Sequence, residues 1–143
     1  MSMVAWSDEY SVEIQELDEQ HKCLIRIINE LYDALAKKAD RDVINDVLDK
    51  LVEYTKIHFT VEESLMRIFN YADYEQHKAI HDDIVGKVVT YQGKFRAGDD
   101  SVGMDLLMFL KGWLFDHINK VDKSYSSTFI KKGMGRTWLK RFW

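Results

Sequence analysis

The sequence predicts an all-α fold, an antiparallel four-helix bundle whose helices run up, down, up and down. The 143 residues include no proline and only seven glycines, so little interrupts extended helices. Apolar residues recur at three- and four-residue steps along four separate stretches. Short connections between these stretches favour antiparallel neighbours. We expect an N-terminal arm before the bundle and a short basic extension after it.

The first predicted helix runs from about Asp18 to Lys38, with Asp18 as its N-cap. Residues 1–17 fit no helix strongly and are expected to lie along the bundle as the arm. The second helix is predicted to begin after Asp40 and to end near Asn70, before a turn. The core-facing stripe of the first helix is His21, Leu24, Ile28, Leu31 and Leu35, and that of the second is Val47, Leu51, Tyr54, His58, Glu62 and Leu65.

The third predicted helix opens with Asp73 as N-cap and Gln76 three residues later, which is a capping-box pattern. The stretch 97–101 contains a glycine and polar residues and is predicted to stop it. The third helix turns His77, His81, Ile84, Val88, Tyr91 and Phe95 to the core, and the fourth turns Leu106, Leu110, Trp113, His117 and Val121. Helices of roughly 20 residues are about 30 Å long, the size of one small domain.

Composition limits the classes of function. Hydrophobic residues make up 46% and charged residues 31% of the chain, as in ordinary globular proteins. The net charge of −4 divides into +5 after Ile130 and −9 before it. An acidic body argues against nucleic acid as the main partner, because phosphate contact requires a basic surface. We therefore predict one bundle domain over residues 1–132 and a basic, aromatic tail over residues 133–143, which could contact a membrane surface or a protein.

The cellular location is predicted from what the sequence lacks. The N-terminus shows no basic region followed by an apolar stretch, and the apolar run 106–110 is far shorter than the roughly 20 residues of a membrane span. The single cysteine, Cys23, cannot form an internal disulfide, which agrees with a reducing compartment. These features predict a cytoplasmic protein.

The histidines are the main anomaly of the sequence. There are five, and every one lies on a predicted core-facing stripe, accompanied by Glu62 and Asp122. Burying so many titratable groups without compensating charge would cost several kcal/mol each, and a bound metal is the usual way to offset that cost. The predicted ligands are His21, His58, Glu62, His77, His81, His117 and Asp122.

Spacing and donor type favour two metal ions. His58 and Glu62 are four residues apart, as are His77 and His81, so each pair projects from one helical face. Seven donors are too many for one tetrahedral zinc, and imidazole with carboxylate suits first-row transition metals. If both carboxylates and a solvent oxygen bridge two metals, the five imidazoles divide into three and two. One metal then keeps a position for a small ligand, and iron suits dioxygen.

The order of these motifs resembles that of the haemerythrin family, specifically its bacterial single-domain members. The resemblance covers about residues 4–130, and its motifs are Asp18-Glu19-Gln20-His21-Lys22, His58-x3-Glu62, His77-x3-His81 and His117-x4-Asp122. It implies an up-down four-helix bundle with two non-haem irons joined by an oxo or hydroxo bridge. It also implies reversible dioxygen binding, as in an oxygen carrier, store or delivery protein, and no enzymatic activity.

The resemblance also implies residue roles. It assigns His77, His81 and His117 to a coordinatively saturated iron, His21 and His58 to the iron that accepts dioxygen, and Glu62 and Asp122 to both. The side chains expected beside the ligands as walls of an oxygen pocket are Leu24, Phe59, Trp113, Leu114 and Ile118. Plain core packing explains each of these five equally well.

Other functions remain open at this level. The same metal class includes di-iron oxidases, peroxidases and nitric oxide-reducing sites, but ferritin-like enzymes use glutamates with E-x-x-H pairs rather than this histidine-rich set. An oxygen- or nitric oxide-sensing module would report to a partner, and we expect no signalling domain beside the bundle, although the tail keeps this alternative open. Iron storage and a structural zinc or metal-free core are further alternatives.

Overall fold

The computed structural model describes residues 4–122, together with Ser127 and Lys131. Four α-helices account for most of this part of the chain. They are α1 (Gln15–Ala36), α2 (Arg41–Ile68), α3 (Tyr74–Arg96) and α4 (Val102–Asp116). A 3-10 turn over Asp8–Tyr10 precedes α1, and a π-helical segment over His117–Asp122 continues α4. The predicted tail, residues 133–143, lies outside the described residues.

The helices form a closed ring of neighbours. Helix α1 packs against α2 and α4, and α3 packs against the same two helices. Consecutive helices are joined by connections of only four or five residues, so neighbours run in opposite directions. This arrangement confirms the predicted antiparallel four-helix bundle.

Three helices end in the same way, with one residue in the left-handed region of φ. These residues are Lys38 (φ 53°), Asn70 (φ 52°) and Gly98 (φ 110°). After Gly98, the amide of Asp99 donates to the carbonyl of Lys94, and equivalent bonds follow the other two residues. Such a left-handed residue turns the backbone off the helix axis while satisfying the last carbonyls. The predicted stops near Asn70 and in the stretch 97–101 are therefore confirmed.

The predicted N-cap of α1 is wrong. The helix begins at Gln15, with Ile14 in the N-cap position, so Asp18 already lies inside the first turn. Its carboxylate instead accepts hydrogen bonds from the Ser11 hydroxyl (2.6 Å) and the Val12 amide (2.8 Å) of the preceding segment. Asp18 thus orders the chain that enters α1 rather than capping the helix.

The start of α3 agrees only in part with its prediction. Asp73 does occupy the N-cap position, but its side chain makes no capping hydrogen bond. The capping-box pattern therefore predicted where the helix starts, but the side-chain hydrogen bond that such a pattern implies is not formed by Asp73.

Apolar side chains from all four helices fill the centre of the bundle. Leu17, Leu31, Leu48 and Leu107 are at most 1% exposed. Residues 4–14 add to this core, because Val12 and Ile14 are fully buried and the Val4 backbone exchanges two hydrogen bonds with the Asn29 side chain. Within the described residues, no helix combines the length and apolar character needed to cross a membrane.

Candidate metal centre

One layer of the bundle interior is polar. All seven predicted ligands are at most 4% exposed, and only Thr55 and Gln92 join them as buried polar side chains in the described part of the chain. The seven are His21 on α1, His58 and Glu62 on α2, His77 and His81 on α3, and His117 and Asp122 at the two ends of the π-helical segment. Helices α1, α2 and α3 and the π-helical segment that continues α4 thus contribute to one polar layer.

The donor atoms of these residues fall into two groups. In each group, every residue offers one nitrogen or oxygen atom that lies within 4.8 Å of the others. Both groups contain Glu62 and Asp122. The three-histidine group adds His77, His81 and His117, and the two-histidine group adds His21 and His58. The division of five imidazoles into three and two, which donor counting predicts, is therefore present in the geometry.

Glu62 faces both groups, one with each carboxylate oxygen. Its Oε1 lies 2.7 Å from His58 Nε2 and 3.4 Å from His21 Nε2. Its Oε2 lies 3.1 Å from His81 Nε2 and 3.7 Å from His77 Nε2. A carboxylate placed in this way can give one oxygen to each of two metal ions.

Asp122 repeats this arrangement from the opposite side. Its Oδ2 lies 3.1 Å from His21 Nε2. Its Oδ1 lies 3.0 Å from His117 Nε2 and 3.6 Å from His77 Nε2. The two carboxylates therefore connect the same two histidine groups.

The electrostatics of the layer keep both carboxylates ionised. Burial opposes ionisation of Glu62, but the charge and hydrogen bonds of the surrounding imidazoles hold its pKa well below the ordinary value. Burial and the charge of Glu62 both raise the pKa of Asp122, yet His117 and His21 lower it below its ordinary value. Two buried negative charges side by side require positive charge between them.

The imidazoles respond in different ways. Burial alone would lower the pKa of His21, but Asp122 and Glu62 raise it to about 9. Burial dominates at His58 and lowers its pKa despite the neighbouring Glu62. Burial is outweighed at His81, whose pKa is raised by the nearby carboxylates of Glu62 and then Glu63. In the metal-free chain, His21 carries part of the positive charge that metal ions would supply.

The donor atoms fit metal ions better than they fit one another. Within the described residues, His81 Nε2, His117 Nε2 and both oxygens of Asp122 are buried and make no hydrogen bond. His117 Nε2 and Asp122 Oδ1 are only 3.0 Å apart, so it is their alignment that is unsuitable for hydrogen bonding. Imidazole and carboxylate lone pairs that converge in this way are the ligands expected of first-row transition metals.

Comparison with known proteins identifies the family. The family model described as the hemerythrin HHE cation binding domain matches residues 12–128. The chain belongs to the haemerythrin family. The bacteriohaemerythrin of Methylococcus capsulatus is 39% identical over 126 residues, which cover 87% of this chain and 95% of that protein.

Two further relatives agree. The bacteriohaemerythrin of Pseudomonas aeruginosa is 36% identical over 148 aligned positions, covering 99% of this chain and 95% of its own length. A crystal structure of wild-type haemerythrin matches with a TM-score of 0.84 and 37% identity, over 90% of this chain and 98% of that one. The haemerythrin domain binds a di-iron centre, and the histidine and carboxylate cluster of this chain is suited to hold it.

Two residues at this haemerythrin centre were missed by sequence reasoning. Gln20 Oε1 lies 2.5 Å from His58 Nδ1, and Glu63 Oε2 lies 2.9 Å from His81 Nδ1. Both acceptors therefore bind the outer nitrogen of a predicted ligand, the position that usually fixes the orientation of a metal-bound histidine. The only signal in the sequence was that Gln20 and Glu63 each adjoin a predicted ligand.

Four of the predicted pocket residues are buried in the haemerythrin core, and Trp113 is partly buried against it. Phe59 stacks on His81, with ring centroids 3.7 Å apart and planes at 1°, and Trp113 stacks on His117 at 5.2 Å. These two aromatic rings thus cover imidazoles of the three-histidine group. Leu24, Leu114 and Ile118 are at most 1% exposed. The role of all five as walls of an oxygen pocket stays a prediction.

Proposed function

We propose that this chain binds dioxygen reversibly at its di-iron centre and serves as an oxygen carrier, store or delivery protein. The observation that carries the proposal is the inequality of the two donor groups. The three-histidine group offers five protein donors and the two-histidine group offers four, with Glu62 and Asp122 common to both. Identical metals in these groups therefore differ by one coordination position, which is available to a small ligand.

The residue roles follow from this inequality. His77, His81 and His117 would hold the saturated iron, and His21 and His58 would hold the iron that accepts dioxygen. Glu62 and Asp122 would serve both irons, and the placement of one oxygen of each carboxylate toward each group supports this role. When bound, the two ferrous ions supply the electrons that dioxygen takes up and gives back on release.

The surrounding chain favours release over further reduction. Reduction of dioxygen to water consumes protons, so an oxidase needs a proton donor next to the ligand. Glu62 and Asp122 are held ionised, the five histidines would give their lone pairs to metal, and the remaining buried polar side chains of the described region are Thr55 and Gln92. The apolar side chains of Leu24, Leu114 and Ile118, which are fully buried, would keep bulk water away.

The proposal is tested with the purified, iron-loaded protein. The reduced protein is expected to develop a visible charge-transfer band on exposure to air, and to lose the band when oxygen is removed under vacuum. The Asp122→Ala variant should not show the band, since it loses an oxygen donor to each iron. The Asp116→Ala variant removes an exposed carboxylate from the end of α4 and should behave as the wild type.

The same samples distinguish a carrier from an enzyme. Oxygen uptake by a carrier stops at one molecule per di-iron centre and is recovered on deoxygenation. Continued oxygen consumption in the presence of a reductant would contradict the carrier proposal and favour an oxidase. Absence of any spectral change in a protein that holds two irons would contradict oxygen binding itself.

A further inference from the structure

The outer nitrogens of the ligand imidazoles have unequal partners. His81 Nδ1, in the three-histidine group, faces the carboxylate of Glu63 at 2.9 Å. His58 Nδ1, in the two-histidine group, faces the neutral amide oxygen of Gln20 at 2.5 Å. His21 Nδ1 is buried and makes no hydrogen bond within the described residues. The charged contact is thus on the three-histidine side.

Each contact favours one tautomer when metal is bound. A carboxylate oxygen and an amide oxygen are acceptors, so they hold the proton of each imidazole on Nδ1 and leave the lone pair of Nε2 for a metal ion. The inner Nε2 of His81 lies 3.1 Å from Glu62 Oε2, and that of His58 lies 2.7 Å from Glu62 Oε1, so both nitrogens face the carboxylate that the two donor groups share. The two contacts orient their rings alike and differ in charge.

That charge has a chemical consequence. A carboxylate that accepts the Nδ1 proton increases the electron density of the imidazole and makes Nε2 a stronger donor to metal. A neutral amide does this to a smaller extent. A stronger donor stabilises the ferric ion more than the ferrous ion, because the ferric ion carries the higher charge.

We propose that Glu63 is a positioning residue that lowers the reduction potential of the di-iron centre through His81, while Gln20 orients His58 without adding charge. The centre is thereby made electronically asymmetric. The iron that does not accept dioxygen becomes the better electron donor, and the iron that accepts it keeps a neutral outer shell. This inference rests on the proposed function and assigns a specific contribution to one residue.

The packing around His81 allows the effect of charge to be tested apart from the effect of ring position. Phe59 stacks directly on the His81 ring and holds its plane independently of Glu63. The Glu63 side chain is 18% exposed and lines a surface cavity of about 340 Å³ between α2 and α3. Replacement by glutamine keeps the size and an acceptor oxygen, so the exchange removes charge while the ring stays in place.

The test compares three variants of the full chain. Glu63→Gln removes the charge beside His81, and Gln20→Glu adds one beside His58. Glu53→Gln is the matched control, because it removes a charge from an exposed site on the same helix about 15 Å from Glu63 along the axis. The midpoint potential of the deoxygenated iron protein is measured by spectroelectrochemistry, and cobalt(II) affinity of the metal-free protein is measured by chelator competition.

We expect Glu63→Gln to raise the potential and Gln20→Glu to lower it, with little change for Glu53→Gln. Loss of an outer partner typically weakens metal binding about 10–100-fold, and Glu63→Gln keeps an acceptor oxygen, so its cobalt(II) affinity should fall by less than this. If the ferric ion loses tenfold more affinity than the ferrous ion, the potential rises by about 59 mV. Should Glu63→Gln fail to fold, the opposite shift in Gln20→Glu still tests the inference.

Equal potentials for Glu63→Gln and Glu53→Gln would overturn the inference, as would a higher potential for Gln20→Glu. Neither measurement uses oxygen, so the outcome is separate from that of the proposed function. A wild-type protein that binds two irons but no dioxygen would contradict the proposed function, and a raised potential in Glu63→Gln would still support the role of Glu63.

Discussion

His117 Nε2 and Asp122 Oδ1 lie 3.0 Å apart although the two residues are five positions apart along the chain. On a regular α-helix, five residues turn through about 500°, which leaves the two side chains about 140° apart around the axis. The chain instead forms a π-helical segment that begins at His117 and ends at Asp122. A wider turn brings residues five apart onto one face. The fourth helix thus widens where the spacing of these two residues requires it.

The π-helical segment should depend on bound metal. Such turns are rare and occur mostly as single turns at functional sites, and this one is held at both ends by donors to the centre. We expect backbone amides of residues 117–122 to exchange hydrogen faster after metal removal. Hydrogen exchange read by mass spectrometry measures this, with the apolar half of α2 around Leu48 as the internal control. Equal protection with and without metal would mean that packing alone maintains the turn.

Metal content should separate the shared ligands from the unshared ones. The wild type is expected to hold two irons per chain. Asp122→Ala should lose both, because Asp122 belongs to both donor groups, whereas His58→Ala should keep the metal of the three-histidine group. Elemental analysis gives the ratio, with Asp116→Ala as the control for charge loss on the same helix. Two irons retained in Asp122→Ala, or one iron or mostly zinc in the wild type, would contradict the assignment.

Metal removal should destabilise the bundle. It leaves five imidazoles and two carboxylates, each at most 4% exposed, without the ions that balance their charge. The expected loss is several kcal/mol of unfolding free energy. For a domain of this size, each 1 kcal/mol lowers the melting temperature by roughly 2–4 °C. Thermal unfolding followed by circular dichroism, before and after verified chelation, measures the shift. An unchanged transition would show that the fold does not depend on its centre.

Metal uptake should strengthen as the pH rises from 7 to 9. The pKa of His21 in the folded, metal-free chain is raised from 6.5 to about 9 by Asp122 and Glu62 against the effect of burial, so His21 is protonated at pH 7. Metal must displace that proton, and the competition disappears as the pH passes 9.

The raised pKa of His21 also affects the stability of the metal-free chain, which should decrease as the pH rises. The contribution of His21 to folding is complete below about pH 6.5 and is lost as the pH rises through 9. Cobalt(II) titrations at several pH values, with proton release followed by an indicator dye, test the predicted rise in metal affinity. Affinity independent of pH over this range would contradict it.

The sequence predicted the ligand layer because helical spacing determines which side chains share a face. His58 and Glu62, and likewise His77 and His81, are four residues apart and do meet in the core. The π-helical segment was also predictable, since His117 and Asp122 could not meet on an α-helix. Donor counting then predicted the division of imidazoles into three and two.

The contacts that spacing could not predict depend on packing between helices. Gln20 lies on α1 and binds His58 on α2, and Glu63 lies on α2 and binds His81 on α3. Neighbouring positions on a helix point about 100° apart, so each residue next to a ligand faces an adjacent helix whose register the sequence does not reveal. The N-cap predicted at Asp18 is wrong for a similar reason. The helix begins earlier, at Gln15, and the Asp18 carboxylate accepts hydrogen bonds from Ser11 and the Val12 amide instead.

The C-terminal tail combines charge with aromatic side chains and stays a prediction from sequence. The basic residues after Ile130 are Lys131, Lys132, Arg136, Lys140 and Arg141, and the aromatic residues are Trp138, Phe142 and Trp143. Such a segment can bind an anionic membrane, where each basic residue contributes about 1 kcal/mol near the surface. It could equally fold back on the body of the chain, whose formal charge of −9 would attract it.

Deletion of residues 133–143 should leave oxygen binding intact, because all seven predicted ligands precede the tail. The truncated protein is therefore expected to show the same oxygenated spectrum and the same iron content as the full chain. Sedimentation with vesicles that contain anionic lipid distinguishes the two roles of the tail. If the tail binds membranes, truncation abolishes co-sedimentation, and added salt weakens it in the full chain because the basic residues are screened. Equal sedimentation of both forms would exclude a membrane role for the tail, and loss of the oxygenated spectrum on truncation would make the tail part of the folded core.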